Sequence, residues 1–191
     1  MVEEGPVVVG ISGASGAPIA VKVLEALRAA NVETALVASR SGLEVVREET
    51  GLDAAALGRL ATHRYEEDDF QAPIASGSRR TRGMVVVPCS STSVAKIALG
   101  LGDNLLTRAA HVHLKERRRL VLVPRETPLP TLLLRHLTSL SEMGAVVLVP
   151  APAYYLHPTT LGEVTDYVAG KVLDHLGVPH RLYRGWKEDS A

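Results

Sequence analysis

Three apolar runs, each closed by a proline, set the strongest limit on what this chain can become: Met84-Val-Val-Val-Pro88, Leu120-Val-Leu-Val-Pro124 and Ala145-Val-Val-Leu-Val-Pro150. A strand with one wet face alternates apolar and polar residues, whereas a continuously apolar run belongs to a parallel strand covered on both faces. Proline has no N–H to give a ladder and so marks where each run stops. Helical patterns lie between the runs, Val94 to Leu99 with Asn104 to Arg117, and then Thr131 to Met143. Strand and helix in alternation predict an α/β fold, an open parallel sheet with helices on both faces. In such a sheet the ligand lies beyond the carboxyl ends of the strands.

The N-terminal unit fits the same plan. Val7-Val-Val-Gly-Ile11 is a strand, Ser12 to Ala17 a tight turn, and Ile19, Val23, Leu24 and Leu27 mark an amphipathic helix. Pro18 suits a first helical turn, so the amides of Gly13 to Ala17 are expected to point out of the helix N-terminus as an anion seat. The spacing Gly10-x-x-Gly13-x-x-Gly16 is not the G-x-G-x-x-G of dinucleotide folds, and the second strand, Thr34 to Ala38, ends in Ser39-Arg40 rather than an acid. NAD is disfavoured on both counts, although Arg40 is available to the extra phosphate of NADP.

A chain of 191 residues with 21 basic and 21 acidic side chains reads as one domain, 1–191, with a core of about 6–180 and a tail, 181–191. Zero formal charge excludes long-range attraction to nucleic acid or an anionic membrane. A single cysteine, Cys89, allows no internal disulfide and fits a reducing compartment. The first residues are acidic, no secretion signal is visible and no apolar run reaches spanning length, so a cytoplasmic location is expected.

Ser41-x-x-Glu44 reads as a capping box opening a helix through Thr50; Leu52 to Ala61 follows as a short helical piece and His63 to Glu67 as a strand. Glu66 to Asp69 is expected to be a solvated loop rather than a metal site, since consecutive carboxylates in a strand alternate faces. Phe70 to Arg82 reads as loop, and Thr160-x-x-Glu163 caps a last helix, Leu161 to Leu176.

The residues after each proline carry the chemistry. Cys89-Ser-Ser-Thr-Ser93 offers hydroxyls at a helix N-terminus, Arg125-Glu126 pairs a fixed cation with a proton donor or acceptor, and Ala151 to Pro158 holds two phenols in a stiff loop. Cys89 itself reads as buried and inert. His111 and His113, two apart on a helix, share no face and make no metal pair. Arg117 to Arg119, and Lys115 taken alone, read as a solvated helix end.

In that order along the chain, Gly10-Ile-Ser-Gly-Ala-Ser-Gly16, Ala75-Ser-Gly-Ser78, Pro88-Cys-Ser90, Leu105-Leu-Thr-Arg-Ala-Ala110, Leu114-Lys-Glu-Arg-Arg118, Leu120 to Pro128 and Ala151-Pro-Ala-Tyr-Tyr155 resemble the flavin prenyltransferases, the UbiX/Pad family, from Val7 to about Trp186. The resemblance implies a three-layer Rossmann-like, flavodoxin-like sheet and a homo-oligomer, commonly a dodecamer. It implies transfer of a dimethylallyl group from dimethylallyl phosphate to N5 and C6 of reduced FMN, without metal, the product passing to a UbiD-type decarboxylase. By the same resemblance Gly13, Ala14 and Ser15 lie against the flavin, and Ser39 with Ser90, Ser91, Thr92 and Ser93 holds its phosphate and ring. Arg125 contacts the cofactor, with Arg108 nearby. Lys115, Tyr155 and Lys171 grip the prenyl phosphate, while Glu126 and Ser15 move protons. Lys171 stands where the family usually has arginine, exchanging bidentate geometry for a point charge, and Phe70 stands where some members have tryptophan. Two other readings are an FMN-dependent cysteine decarboxylase, whose active-site histidine and Asn-Met motif are not found here, and a non-catalytic flavin-binding or electron-transfer protein.

Overall fold

The computed structural model describes residues 5–185. Residues 1–4 and 186–191, the latter the end of the expected tail, lie outside the described residues. Six parallel strands form one open sheet in the order β3-β2-β1-β4-β5-β6. These are β1 (Val7–Ile11), β2 (Thr34–Ala38), β3 (His63–Tyr65), β4 (Gly83–Cys89), β5 (Leu120–Pro124) and β6 (Val146–Val147). The helices are α1 (Ala17–Ala29), α2 (Arg40–Thr50), α3 (Ala54–Gly58), α4 (Ser91–Ala98), α5 (Leu105–Lys115), α6 (Thr131–Glu142) and α7 (Leu161–Leu176). Short 3₁₀ turns, Pro73–Ala75 and Tyr154–Leu156, break the two loops that the sequence left without periodicity.

The continuous apolar runs are explained by two separate cores. Val7, Val9, Ile11, Val85, Val87, Val121 and Val123 face a cluster with Leu24, Leu27, Val168, Val172 and Leu173 from α1 and α7. The alternate residues Val8, Met84, Val86, Leu120 and Leu122 face Leu105, Leu106, Leu133, Leu137 and Leu140 from α5 and α6. Each fully buried valine or leucine of this kind contributes about 1.5–3 kcal/mol. Both faces are therefore indispensable, and a polar residue anywhere in a central strand would be buried.

Three local expectations are corrected. Pro88 does not end its strand: β4 continues to Cys89, with a register irregularity between Val86 and Cys89 where proline cannot donate. The sixth strand shrinks to Val146–Val147 with one further bond from Leu148 N to Leu122 O, because an edge strand pairs on one side only and Val149 turns out to solvent. The cap of α2 is Ser39, not Ser41; its Oγ accepts from Gly42 N at 3.0 Å. Asn104 and Thr160 each close a full capping box, the latter with Glu163 as expected.

The chain winds outward from β1 in one direction and from β4 in the other. The carboxyl ends of these neighbours thus border the crevice where strand order reverses, the place such sheets use for ligands.

Candidate functional site

The loops after β1 and β4 are stapled across this crevice by Ser12, a residue that sequence reasoning left without a role. Its buried hydroxyl donates to Pro88 O at 3.0 Å and accepts from Ser90 N at 2.7 Å. Ser90 in turn caps α4, its Oγ accepting from Ser93 N at 3.2 Å and donating to Ser93 Oγ at 3.0 Å. Ser91 Oγ donates to Glu126 Oε2 at 3.0 Å, and Arg125 Nε donates to Ser15 O at 3.2 Å. Ser39 N bonds Ile11 O at 2.9 Å, placing its hydroxyl beside Ser41 at 3.2 Å on the same rim. Gly13 packs directly on Ser41, where a Cβ would collide with that side chain. Gly13, Ala14, Ser15, Ser39, Ser90, Ser91, Thr92, Ser93, Arg125 and Glu126 therefore share one end of the sheet, as the sequence led one to expect.

The anion seat at α1 is corrected. Gly16 takes a φ of 117°, a region that favours glycine, and turns the first amides of α1 outward. They are not free: Glu49 Oε2 accepts from Gly16 N at 2.9 Å and from Ala17 N at 2.8 Å. Burial works against this carboxylate, yet hydrogen bonds from Ser15, Gly16 and Ala17 and the charge of Arg125 outweigh it and hold the acid below its ordinary range. Sequence reasoning missed Glu49. A weak signal existed, since Glu48 and Glu49 sit in the last turn of α2, where the helix dipole disfavours acids unless another partner compensates.

Beside this acid lies a cleft of about 420 Å³. Ser15, Glu49 and Arg125 form its polar wall; Ile19, Leu161 and Val168 form its apolar one. Walls of this kind suit a ligand with one apolar part and one charged part. The seryl hydroxyls and the α4 N-terminus nearby are a donor set suited to the oxygens and ring atoms of FMN.

The remaining predicted residues lie elsewhere on the chain. Lys115 ends α5 just before β5 begins, at the amino end of the sheet, where it pairs with Glu116 next to Gly77. Arg108 Nε donates to Ala75 O at 3.1 Å, on the outer side of α5. Tyr155 hydrogen-bonds Tyr167 of α7. Lys171 Nζ lies 2.8 Å from Asp174 Oδ2 and 3.3 Å from the Tyr183 hydroxyl. Asp174 chiefly, and Tyr183 with it, hold the ammonium charged well above the ordinary lysine range. Burial pushes the Cys89 thiol up to about 12, which leaves it protonated and unreactive. His113 is buried, bonded to Ala109 O and Thr81 Oγ1, both at 2.8 Å. No cluster of metal-ligating side chains occurs among the described residues, and no described helix is long and apolar enough to cross a membrane.

A parallel sheet with a serine-lined crevice at its switch point defines a flavoprotein of the Rossmann-like class, and the family model described as Flavoprotein matches residues 1–173. The chain is 47% identical over 180 residues to the flavin prenyltransferase UbiX of Thermoplasma acidophilum, covering 94% of this chain and 99% of the relative. A crystal structure of AnUbiX (PadA1) in complex with FMN and dimethylallyl pyrophosphate superposes with a TM-score of 0.93 at 41% identity, over 95% of this chain and 96% of that one. A dodecameric FMN-dependent UbiX-like decarboxylase from Escherichia coli O157:H7 gives 0.92 at 44% identity, over 95% and 100%. The chain belongs to the UbiX family of flavin prenyltransferases.

Proposed function

We propose that this chain joins the dimethylallyl group of dimethylallyl phosphate to reduced FMN at N5 and C6, releasing inorganic phosphate. One arrangement carries the reading: Ser15, Glu49, Arg125 and Glu126 gathered at the switch-point rim beside a cleft with one apolar wall. When bound, reduced FMN supplies the nucleophilic nitrogen and the ring carbon that receive the alkyl group. The protein's task is to position, to exclude water and to move protons.

With the α1 amides taken by Glu49, the flavin phosphate falls to Ser39 and to the hydroxyls of Ser90, Ser91, Thr92 and Ser93 at the α4 N-terminus. Gly13, Ala14 and Ser15 lie against the ring, with Arg125 holding the Ser15 carbonyl in place; Arg108, on the outer side of α5, is assigned to the flavin of a second copy. Glu126 and Ser15 accept and return protons, and Glu49, bonded to Ser15, extends that relay. Lys115 and Lys171 neutralise the leaving phosphate and the Tyr155 hydroxyl donates to it, an electrostatic role that needs no metal.

Lys115 is separated from the rim by the length of the strands, so it serves the site of a second copy. This makes the protein a homo-oligomer, a dodecamer by family likeness, acting as one domain over 1–191. Its product is destined for a UbiD-type decarboxylase, and the single free thiol accords with the cytoplasm.

The test is anaerobic incubation of the protein with dithionite-reduced FMN and dimethylallyl phosphate. Mass spectrometry is expected to find the flavin heavier by one prenyl unit. Unchanged FMN with both the monophosphate and the diphosphate would overturn the assignment.

A further inference from the structure

After α7 the chain folds back over the helix. Val178 N bonds Leu173 O at 3.0 Å, and residues 178–183 form a strap whose turn is held by Leu182 N donating to His180 Nδ1 at 3.2 Å. Three donors meet on one carboxylate: Asp174 accepts from Lys171 Nζ at 2.8 Å, from the Tyr183 hydroxyl at 2.5 Å and from His180 Nε2 at 3.1 Å. Gly170 makes this approach possible, because a Cβ there would stand 2.5 Å from the Tyr183 ring. Tyr167 meets the same ring edge-on, with centroids 5.0 Å apart.

The strap also walls a cleft of about 190 Å³ with Ala153, Leu156, Val164, Tyr167, Leu182 and Tyr183. Val164 lines this cleft and the larger one at the rim alike, so the two adjoin along α7. Tyr155 enters the same neighbourhood through its bond to Tyr167.

We propose that Tyr183 is a positioning residue for Lys171, and that the strap is thereby part of the prenyl-phosphate site. The proposal rests on the reading of Lys171 as a phosphate ligand. A lysine ammonium on a four-carbon stem loses rotamer freedom when it grips a ligand, and fixing it beforehand removes that cost from binding. Tyr183 does the fixing without adding charge: its hydroxyl donates to Asp174 and accepts from Lys171. Asp174 anchors both, but replacing it would also strip a negative charge from beside the phosphate. Tyr183→Phe is the cleaner probe, since it keeps the ring on Gly170 and leaves every charge in place.

Steady-state kinetics with reduced FMN and varied dimethylallyl phosphate test the proposal. Tyr183→Phe is expected to raise KM for dimethylallyl phosphate about three- to tenfold, with kcat and the Kd of FMN within about twofold of the parent. In a Lys171→Ala background the same change is expected to add nothing, because Tyr183 acts through that side chain. An unchanged KM, a matching loss of FMN affinity, or a rise that persists undiminished beside Lys171→Ala would overturn it. Should Lys171→Ala alone leave KM where it was, the underlying reading of Lys171 falls and the proposal with it, a result separable from failure of Tyr183 alone.

Discussion

Ser91 and Glu126 are joined at 3.0 Å, hydroxyl to carboxylate, so that the first turn of α4 aims the second residue after β5. The second oxygen of Glu126 accepts from Thr127 N at 3.2 Å, which leaves the group oriented on both sides. A base whose lone pairs are directed in advance needs little reorganisation when it takes a proton.

Glu126→Gln is accordingly expected to bind FMN as before but to form the prenylated flavin about 100-fold more slowly, the scale of a lost general base. Single-turnover rates with flavin binding measured in parallel check it. Equal rates would remove Glu126 from proton transfer.

Glu49 joins α2 to the first amides of α1 and lies in the cleft beside Ser15. Its folded acidity is raised, meaning its pKa is lowered, so its contribution to stability is complete above the ordinary carboxylate range and is lost as pH falls through the lower folded value. Glu49→Gln is expected to slow prenyl transfer by about tenfold or more and to flatten the acid limb of the thermal melting profile. A variant with wild-type turnover would make Glu49 a cap alone.

Lys115 supplies a test of shared sites. Lys115→Ala and Glu126→Gln chains are each expected to be nearly inactive. Co-expressed in equal amounts, they are expected to recover about a quarter of wild-type activity, because sites with an intact rim and an intact neighbouring lysine reappear by random assembly. No recovery in mixed oligomers would place Lys115 and Glu126 in the site of the same chain and overturn the sharing.

His113 adds a second pH dependence to the fold. Burial holds its imidazole down to about 4 from an ordinary 6.5, and its ring bridges Ala109 O and Thr81. Between those values the unfolded chain binds a proton that the folded chain refuses, so stability falls as pH drops through this window, by on the order of 3 kcal/mol in all. Thermal unfolding from pH 7 to pH 4 should show the decline, and His113→Gln should lower the neutral melting temperature while removing much of the slope.

The placement of Glu49 shows why part of the site was illegible. Its partner Gly16 is 33 residues away, and no local pattern names which of two adjacent glutamates turns inward. The cap of α2 was misread for a related reason. Ser39 and Ser41 are equally good caps by type, and the bond from Ser39 N to Ile11 O decides between them. Arg125 and Glu126 were legible because they directly follow a strand-ending proline, and the end of a parallel strand is where such sheets do chemistry.

By itself the sequence determined the strands, the helices between them and the parallel sense of the sheet, since continuous apolar runs can be buried only on two faces and caps act within a few residues. Tertiary structure alone decided which groups share a wall: that Glu49 fills the α1 amides, that Ser12 staples two loops, and that Lys115 ends at the far end of the strands from Glu126. Those outcomes depend on where the sheet reverses its winding and on how the helices cross it, and contacts between residues distant in the chain are set only when the whole core closes.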